Sequence, residues 1–232
     1  MTAQRQESRL QRVARLLHRH SLRDLAVHAS LELVSGADRL WSTVLCRAKA
    51  VLIGVDLGPG AKVWGTVMFR RFPGSRIAIG RNVRIVSRAY RYMQNVYPQS
   101  KLRTMFPGAS IIIGNDVGFN SISVYARSQR IEIGDGCLIG GNCQISDTDG
   151  HPLWPVAARS HYPGTEHDAP VTLGRNVFVG LNVIILKGVT IGDNSIIGAG
   201  SVVSRSIPSN CIAAGVPARV VRHSQHAPAE PG

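Results

Sequence analysis

Acidic side chains are scarce in this sequence: 14 Asp and Glu stand against 27 Lys and Arg, a formal net charge of +13. So basic a chain attracts anions, whether nucleic acid, an acidic membrane or a charged small ligand. The first of these lacks its usual carriers. There is no helix-turn-helix pattern, no zinc-finger spacing and no alternation of aromatic and basic residues suited to bases. The arginines are spread along the chain, so the expectation is an anionic cofactor or substrate and no nucleic acid, with a membrane surface second. Aromatic residues make up only 6%, which excludes a core built on stacked rings. The cysteines are Cys46, Cys137, Cys143 and Cys211. They form no C-x-x-C pair and no disulfide-like spacing, and are expected as reduced core or corner residues. No apolar run approaches the roughly 20 residues that span a bilayer. The N-terminus lacks the basic-then-apolar order of a signal peptide. A cytoplasmic protein is therefore expected.

What the sequence has instead is a period. Residues 171–203 read VTLGRNVFVGLNVIILKGVTIGDNSIIGAGSVV. An aliphatic residue returns at every sixth position, through Leu173, Val179, Ile185, Ile191, Ile197 and Val203, and Gly174, Gly180, Gly192 and Gly198 follow directly. Neither a helix period near 3.6 nor a strand period of 2 gives a lone six-residue beat. A chain that runs straight, turns and runs straight again does. Its aliphatic residues stack inward from coil to coil, and its Gly and Asn residues take the corner angles. Three hexapeptides make a triangular coil of about 18 residues. The expected fold class is all-β, a parallel β-helix of hexapeptide repeats with an N-terminal helical cap.

Residues 1–50 differ in kind. Leu10, Val13, Leu16 and Leu17 recur at helical spacing among Arg5, Arg9, Arg12, Arg15 and Arg19. Further helices are expected near Leu22–Val34 and Ala37–Lys49. This segment is expected to cover the open end of the solenoid, where strand edges would otherwise invite aggregation. The alternative is a basic amphipathic surface, residues 1–24, in peripheral contact with anionic lipid. Coils are expected over 51–222, carried first by Leu57, Val63, Phe69, Ile79 and Ile85. The beat breaks over 86–109, resumes through Ile113, Phe119, Ile133, Ile139 and Ile145, and breaks again over 146–170. That second excursion gathers prolines, Trp154 and three histidines, and loops of this kind carry chemistry that a solenoid wall does not. Residues 223–232, polar and proline-containing, are expected to be a disordered tail.

Four stretches carry a specific resemblance: Ser146-Asp147-Thr148-Asp149-Gly150-His151-Pro152, the run 171–203, Ser204-Arg205-Ser206-Ile207-Pro208, and Ala214-Gly215-Val216-Pro217-Ala218-Arg219. Over roughly residues 110–222 the chain resembles the hexapeptide-repeat acyltransferases of the left-handed β-helix class. It is most similar to the maltose/galactoside O-acetyltransferase branch and its relatives that decorate bacterial polysaccharides. The resemblance implies a left-handed coil and a homotrimer with active sites between neighbouring subunits. It also implies acetyl-CoA as acyl donor and a carbohydrate hydroxyl as acceptor, in the setting of surface polysaccharide biosynthesis. His151 becomes the candidate general base: a neutral imidazole takes the proton of a poorly nucleophilic alcohol as it attacks the thioester. Asn120 and Asp149 are its candidate helpers, Asn120 being equally suited to a left-handed corner. Gly180, Ala199, Gly200, Ser204, Arg205 and Arg219 are the candidate CoA residues, the arginines as donors to phosphate.

Tyr125, Ser128, Asp147, Trp154 and Phe178 are the candidate acceptor-binding residues. Here the chain departs from the galactoside branch, which has Asp where Ser128 stands, often Trp where Phe178 stands, and a small polar residue at Leu181. A reshaped pocket and an acceptor other than a simple galactoside are expected.

Other readings stay open. The acyl group could go to the nitrogen of an amino sugar or antibiotic. His151, His161 and His167 could bind zinc as in the hexapeptide-repeat carbonic anhydrases, although their spacing does not match that family and no metal is expected. A non-catalytic scaffold could display the basic helices at a membrane.

Overall fold

The computed structural model describes residues 21–91, 99–160 and 163–223. It begins with one helix, α1, spanning Leu22–Ile53. The Ser21 side chain accepts from the Asp24 N–H at its start, and Gly54 closes it at φ 75°. The two helices expected over Leu22–Val34 and Ala37–Lys49 are thus continuous. Gly36 costs about 1 kcal/mol of helix propensity, but it has open space around it, and packing of the helix on both sides of it outweighs the local penalty. The expected segment at 1–20 lies outside the described residues.

From Asp56 the chain winds into three walls of parallel strands. The first wall stacks Asp56–Leu57, Arg76–Ile79, Ser110–Ile113, Arg130–Ile133, Val171–Leu173 and Thr190–Ile191. The second begins with the first half of the bent strand Lys62–Arg70 and continues through Arg84–Ser87, Gly118–Asn120, Leu138–Ile139, Phe178–Val179 and Ile196–Ile197. The third takes the second half of Lys62–Arg70, then Gln99–Thr104, Ser123–Ala126, Gln144–Ser146, Ile184–Ile185 and Val202–Val203. The six-residue aliphatics pair directly between coils: Val179 with Ile197 and Ile185 with Val203. A second inward residue two places earlier completes each layer, as Val177, Val183 and Val189 are equally buried. The core is a narrow aliphatic column, which explains how the chain manages with so few rings.

Corners fix the coil. Asn82, Asn142, Asn176, Asn182, Asn194 and Asn210 all hold φ between 55° and 61°, a region that Asn tolerates better than most side chains. They stack across coils as well: Asn176 Nδ2 donates to Asn194 Oδ1 at 3.2 Å, 18 residues on. At another corner Gly58, Gly80, Gly114, Gly134 and Gly174 follow one another. A Cβ on Gly134 would stand 2.6 Å from the Gly174 carbonyl oxygen.

Each end of the solenoid is closed differently. The first coil's strand Lys62–Arg70 has N–H groups aimed away from the second coil. Thr43 Oγ1 accepts from the Val63 N–H at 3.0 Å, and Ser42 Oγ accepts from Gly65 N–H at 3.0 Å. Helix α1 therefore supplies acceptors to a strand edge that would otherwise be bare. At the other end Cys211–Gly215 pairs antiparallel with Ala218–His223, so regular structure runs one residue past the expected boundary at 222.

The excursion expected over 86–109 is shorter than its sequence suggests. Gln99–Thr104 is a strand of the third wall, paired with Lys62–Arg70 and Ser123–Ala126. Its inward residues are Ser100, Leu102 and Thr104, all buried. Ser100 Oγ lies 2.8 Å from Ser87 Oγ and Thr104 Oγ1 lies 2.6 Å from Ser75 Oγ. Paired hydroxyls fill positions where the aliphatic beat was sought. The excursion after Ser146 stands as expected, with short 3-10 turns at Val156–Ser160 and Thr165–His167 before the chain re-enters at Val171. All four cysteines are buried and unpaired by disulfide. Burial pushes the thiols of Cys46, Cys137 and Cys143 up to about 11.

Candidate active site

The excursion is tied to the third wall by a buried arginine. The side chains of Arg127 and Asp168 are 4% and 0% exposed and meet at 2.6 Å. Arg127 Nε also donates to Asp168 Oδ2 at 2.9 Å, so the pair is bidentate. The remaining donors reach the loop backbone: Nη1 to Gly150 O at 2.6 Å and to Pro163 O, and Nη2 to Gly164 O at 2.9 Å. One guanidinium thus fastens the residue before His151 and the return limb of the same loop. Burial pushes the Asp168 carboxyl up, but hydrogen bonds from Arg127, Ser128 and Thr148 and the arginine's charge outweigh it and hold the group below its ordinary range.

Asp147 and Ser128, expected at the acceptor, belong to this anchor. Asp147 is fully buried. Its carboxylate accepts from the N–H groups of Arg127, Ser128 and Gln129 at 2.7, 3.0 and 2.8 Å. Burial raises its carboxyl pKa, against the pull of those N–H groups. Ser128 Oγ donates to Asp168 Oδ2 at 2.6 Å. With their oxygens engaged inside the protein, these residues shape the loop. Tyr125 lies beside them, its hydroxyl 2.6 Å from Met105 Sδ and its ring under the Arg103 guanidinium.

The anchored loop builds a cavity of about 350 Å³ lined by Asp149, His151, Leu153, Trp154, His167 and Lys187. His151 is exposed at this cavity, between Gly150 and Pro152 of the loop. Lys187 Nζ donates to Asp149 Oδ2 at 2.5 Å and to His167 O at 2.8 Å. Asp149, expected to assist His151, is therefore held by a cation from the next coil. Trp154 is exposed, with Arg159 over its ring at 5.7 Å. His161 lies outside the described residues. Among the described residues no group of three or more His, Cys, Asp and Glu is placed to hold a metal.

A second, larger concavity of about 790 Å³ runs along the second wall. Asn120, Phe178, Gly180, Leu181 and Ala199 line it, and Arg39, Lys62, Arg84 and Arg91 crowd one end. Phe178, Leu138 and Ile196 present a half-exposed apolar column along it. Asn120 Nδ2 donates to Ile139 O at 3.4 Å. Gly180 and Ala199 are thus in one groove, while Gly200, Ser204, Arg205 and Arg219 are exposed on the last coils outside its lining. Asn120 and His151 line separate concavities on different walls.

A family model described as the hexapeptide repeat of succinyl-transferase matches residues 130–150 and 170–205, the two blocks that flank the His151 loop. A Schizosaccharomyces pombe protein named as an acetyltransferase is 33% identical over 145 residues, 62% of this chain and 68% of its own length. The chain belongs to the hexapeptide-repeat acetyltransferases. Galactoside O-acetyltransferase of Escherichia coli is 44% identical over 115 residues, 50% of this chain and 55% of the relative. The chain thus spans about half the length of several curated relatives that it matches. Among solved structures, a variant of the N-acyltransferase AntD from Bacillus cereus superposes with a TM-score of 0.55 at 20% identity, over 78% of this chain and 89% of that one. This likeness shows the fold, the left-handed β-helix of the hexapeptide-repeat family.

Two residues central to the loop were not singled out as site residues in the sequence. Arg127 is noticeable only as a neighbour of Tyr125, and its buried partners lie 23 to 41 residues further on. Lys187 sits in the six-residue run at a corner, where a lysine reads as a solvated surface charge. Its position beside a corner glycine, Gly188, was the one available signal.

Proposed function

We propose that this protein is an O-acetyltransferase that moves the acetyl group of acetyl-CoA to a hydroxyl of a carbohydrate, with His151 as general base. The observation that carries the reading is the placement of His151. It stands exposed at a polar cavity, on a loop fastened by six hydrogen bonds of the Arg127 side chain, between the two blocks that match the family. In the reaction His151 takes the acceptor hydroxyl's proton as the oxygen attacks the thioester carbonyl. The C–S bond then breaks, and the imidazolium returns the proton to the departing thiolate. No covalent intermediate on the protein is needed.

The active assembly is a homotrimer. A loop from one subunit meets the second-wall groove of its neighbour, bringing His151 to Asn120 and Phe178. Pantetheine lies along the small residues Gly180 and Ala199, where absent side chains allow close approach to backbone. Arg205 and Arg219 remain the candidate phosphate contacts. Trp154 offers an exposed face for a sugar ring.

Incubation of purified protein with labelled acetyl-CoA and a panel of sugars tests this. Transfer to a sugar hydroxyl is expected, and His151→Ala should lower turnover by roughly two to four orders of magnitude with an unchanged melting temperature. Full activity in that variant sinks the mechanism, and label found only on amine acceptors sinks the O-acyl assignment.

A further inference from the structure

Helix α1 turns its small side chains, Ser35, Ser42, Cys46 and Ala50, toward the solenoid and its large ones toward solvent. Leu31, Val34, Trp41 and Leu52 are 62%, 63%, 67% and 86% exposed. At 3.6 residues per turn these positions form one row along the helix, joined by Val27 and Leu45. A second exposed row through Leu40, Val44 and Val51 runs beside it. The two rows together make an arc near half the helix circumference, wider than the narrow seam a two-helix coiled coil requires.

Charge frames this arc on one sign. Lys49 and Arg47 fall at its two edges and Arg23 near its start. Of the helix's three acids, Asp24 and Glu32 lie off the arc, and Asp38, in line with Leu31 and Leu45, has a side chain only 13% exposed. Asp24 meets Ser21, Glu32 lies 3.7 Å from Arg91, and Asp38 accepts from Ser42, Arg88 and Tyr90. The 21 residues that precede α1 add five arginines and one glutamate to the same end of a chain that carries +13 overall. No helix among the described residues is long and apolar enough to cross a membrane.

We propose that the outward face of α1 lies in the interface of an anionic lipid surface. The two apolar rows enter the headgroup boundary, and the flanking cations meet lipid phosphates. Trp41 sits at the depth its amphipathic ring favours. The long stems of Lys49 and Arg47 keep their charges at headgroup level while their methylenes join the apolar layer. The proposal is independent of the acyl transfer assigned above.

Flotation of the full chain with vesicles of roughly 70% phosphatidylcholine and 30% phosphatidylglycerol tests it, with pure phosphatidylcholine as the neutral control. The protein is expected to float with the anionic vesicles, and less at high salt. Leu31→Glu with Leu45→Glu should cut the floated fraction by at least roughly ten-fold, with melting temperature and oligomeric mass unchanged. Leu52→Glu, at the most exposed position, gives the same readout should the double variant fail to fold. Equal flotation of variant and parent overturns the proposal, as does failure of the parent to float. A variant whose oligomeric mass falls overturns it too, because the face would then be covered by a second copy.

Discussion

Asp168 and Asp147 face the same loop from inside the protein, yet their carboxyls shift in opposite directions. Asp168 is held below the ordinary carboxylate range because the bonds and charge of Arg127 exceed the cost of burial. Its contribution to stability is present above the unfolded value and is lost as pH falls from roughly 4 through the depressed folded value. Asp147 is raised by burial, so its contribution is present at low pH and fades as pH rises through its folded value. Asp168→Asn leaves the Arg127 guanidinium buried without its bidentate partner, and should cost about 3–5 kcal/mol in urea unfolding at pH 7. The same variant should show a shallower loss of stability below pH 4 than the parent; an equally steep one would show that the pair does not set the acid limb. Lys187 is different, because its bond to Asp149 is partly exposed, 26% and 34% for the two side chains, and such pairs are worth about 0–1 kcal/mol. Lys187→Met should therefore leave the melting temperature nearly unchanged, while freeing the His151 loop to wander and lowering kcat more than it alters KM.

At the level of strands and loops, what could be read from the sequence depended on how inward positions are filled. Where they are aliphatic, as at Val179, Ile185 and Ile197, the six-residue beat gave the coil and its register directly. Where hydroxyl pairs take over, as at Ser100 and Thr104, a strand passed for a loop, because a buried serine has no hydrophobic signature until its partner is known. Helix α1 was split at Gly36 for a related reason: propensity is local, and the packing that overrides it is not. The His151 loop was legible from its motif. Its anchor was not, since Arg127 becomes a site residue only when the coil brings Asp168, 41 residues on, to its side. The glycine column is another case: the sequence assigns such glycines to corner angles, whereas at Gly134 it is the approach of the next coil that leaves no room for a side chain. Gly134→Ala would set a methyl 2.6 Å from the Gly174 oxygen, against backbone that the next coil holds in place. A loss of about 1–3 kcal/mol is expected in thermal unfolding. Gly36→Ala, in open space inside α1, should instead gain up to about 1 kcal/mol.

At the scale of the whole molecule, two concavities lie apart. The cavity with His151 hangs from the third wall, and the groove with Asn120, Phe178, Gly180 and Ala199 runs along the second. On the reading proposed above, the base lies in one and the bed for a long thioester in the other. The homotrimer proposed above would bring them together without any motion, by setting the loop of each subunit against the groove of the next. That arrangement makes a prediction which a site confined to one chain does not. His151→Ala lacks the base but keeps the groove, and Asn120→Ala lacks the groove asparagine but keeps the base. Each alone should be nearly inactive. When the two are unfolded together in equal amounts and refolded, random assortment pairs an intact groove with an intact loop at about a quarter of the subunit contacts. About a quarter of parental activity should return, and mixing the two proteins after separate refolding should return none. If co-refolding restores nothing while mixed trimers are present by mass, His151 and Asn120 do not act across the subunit boundary.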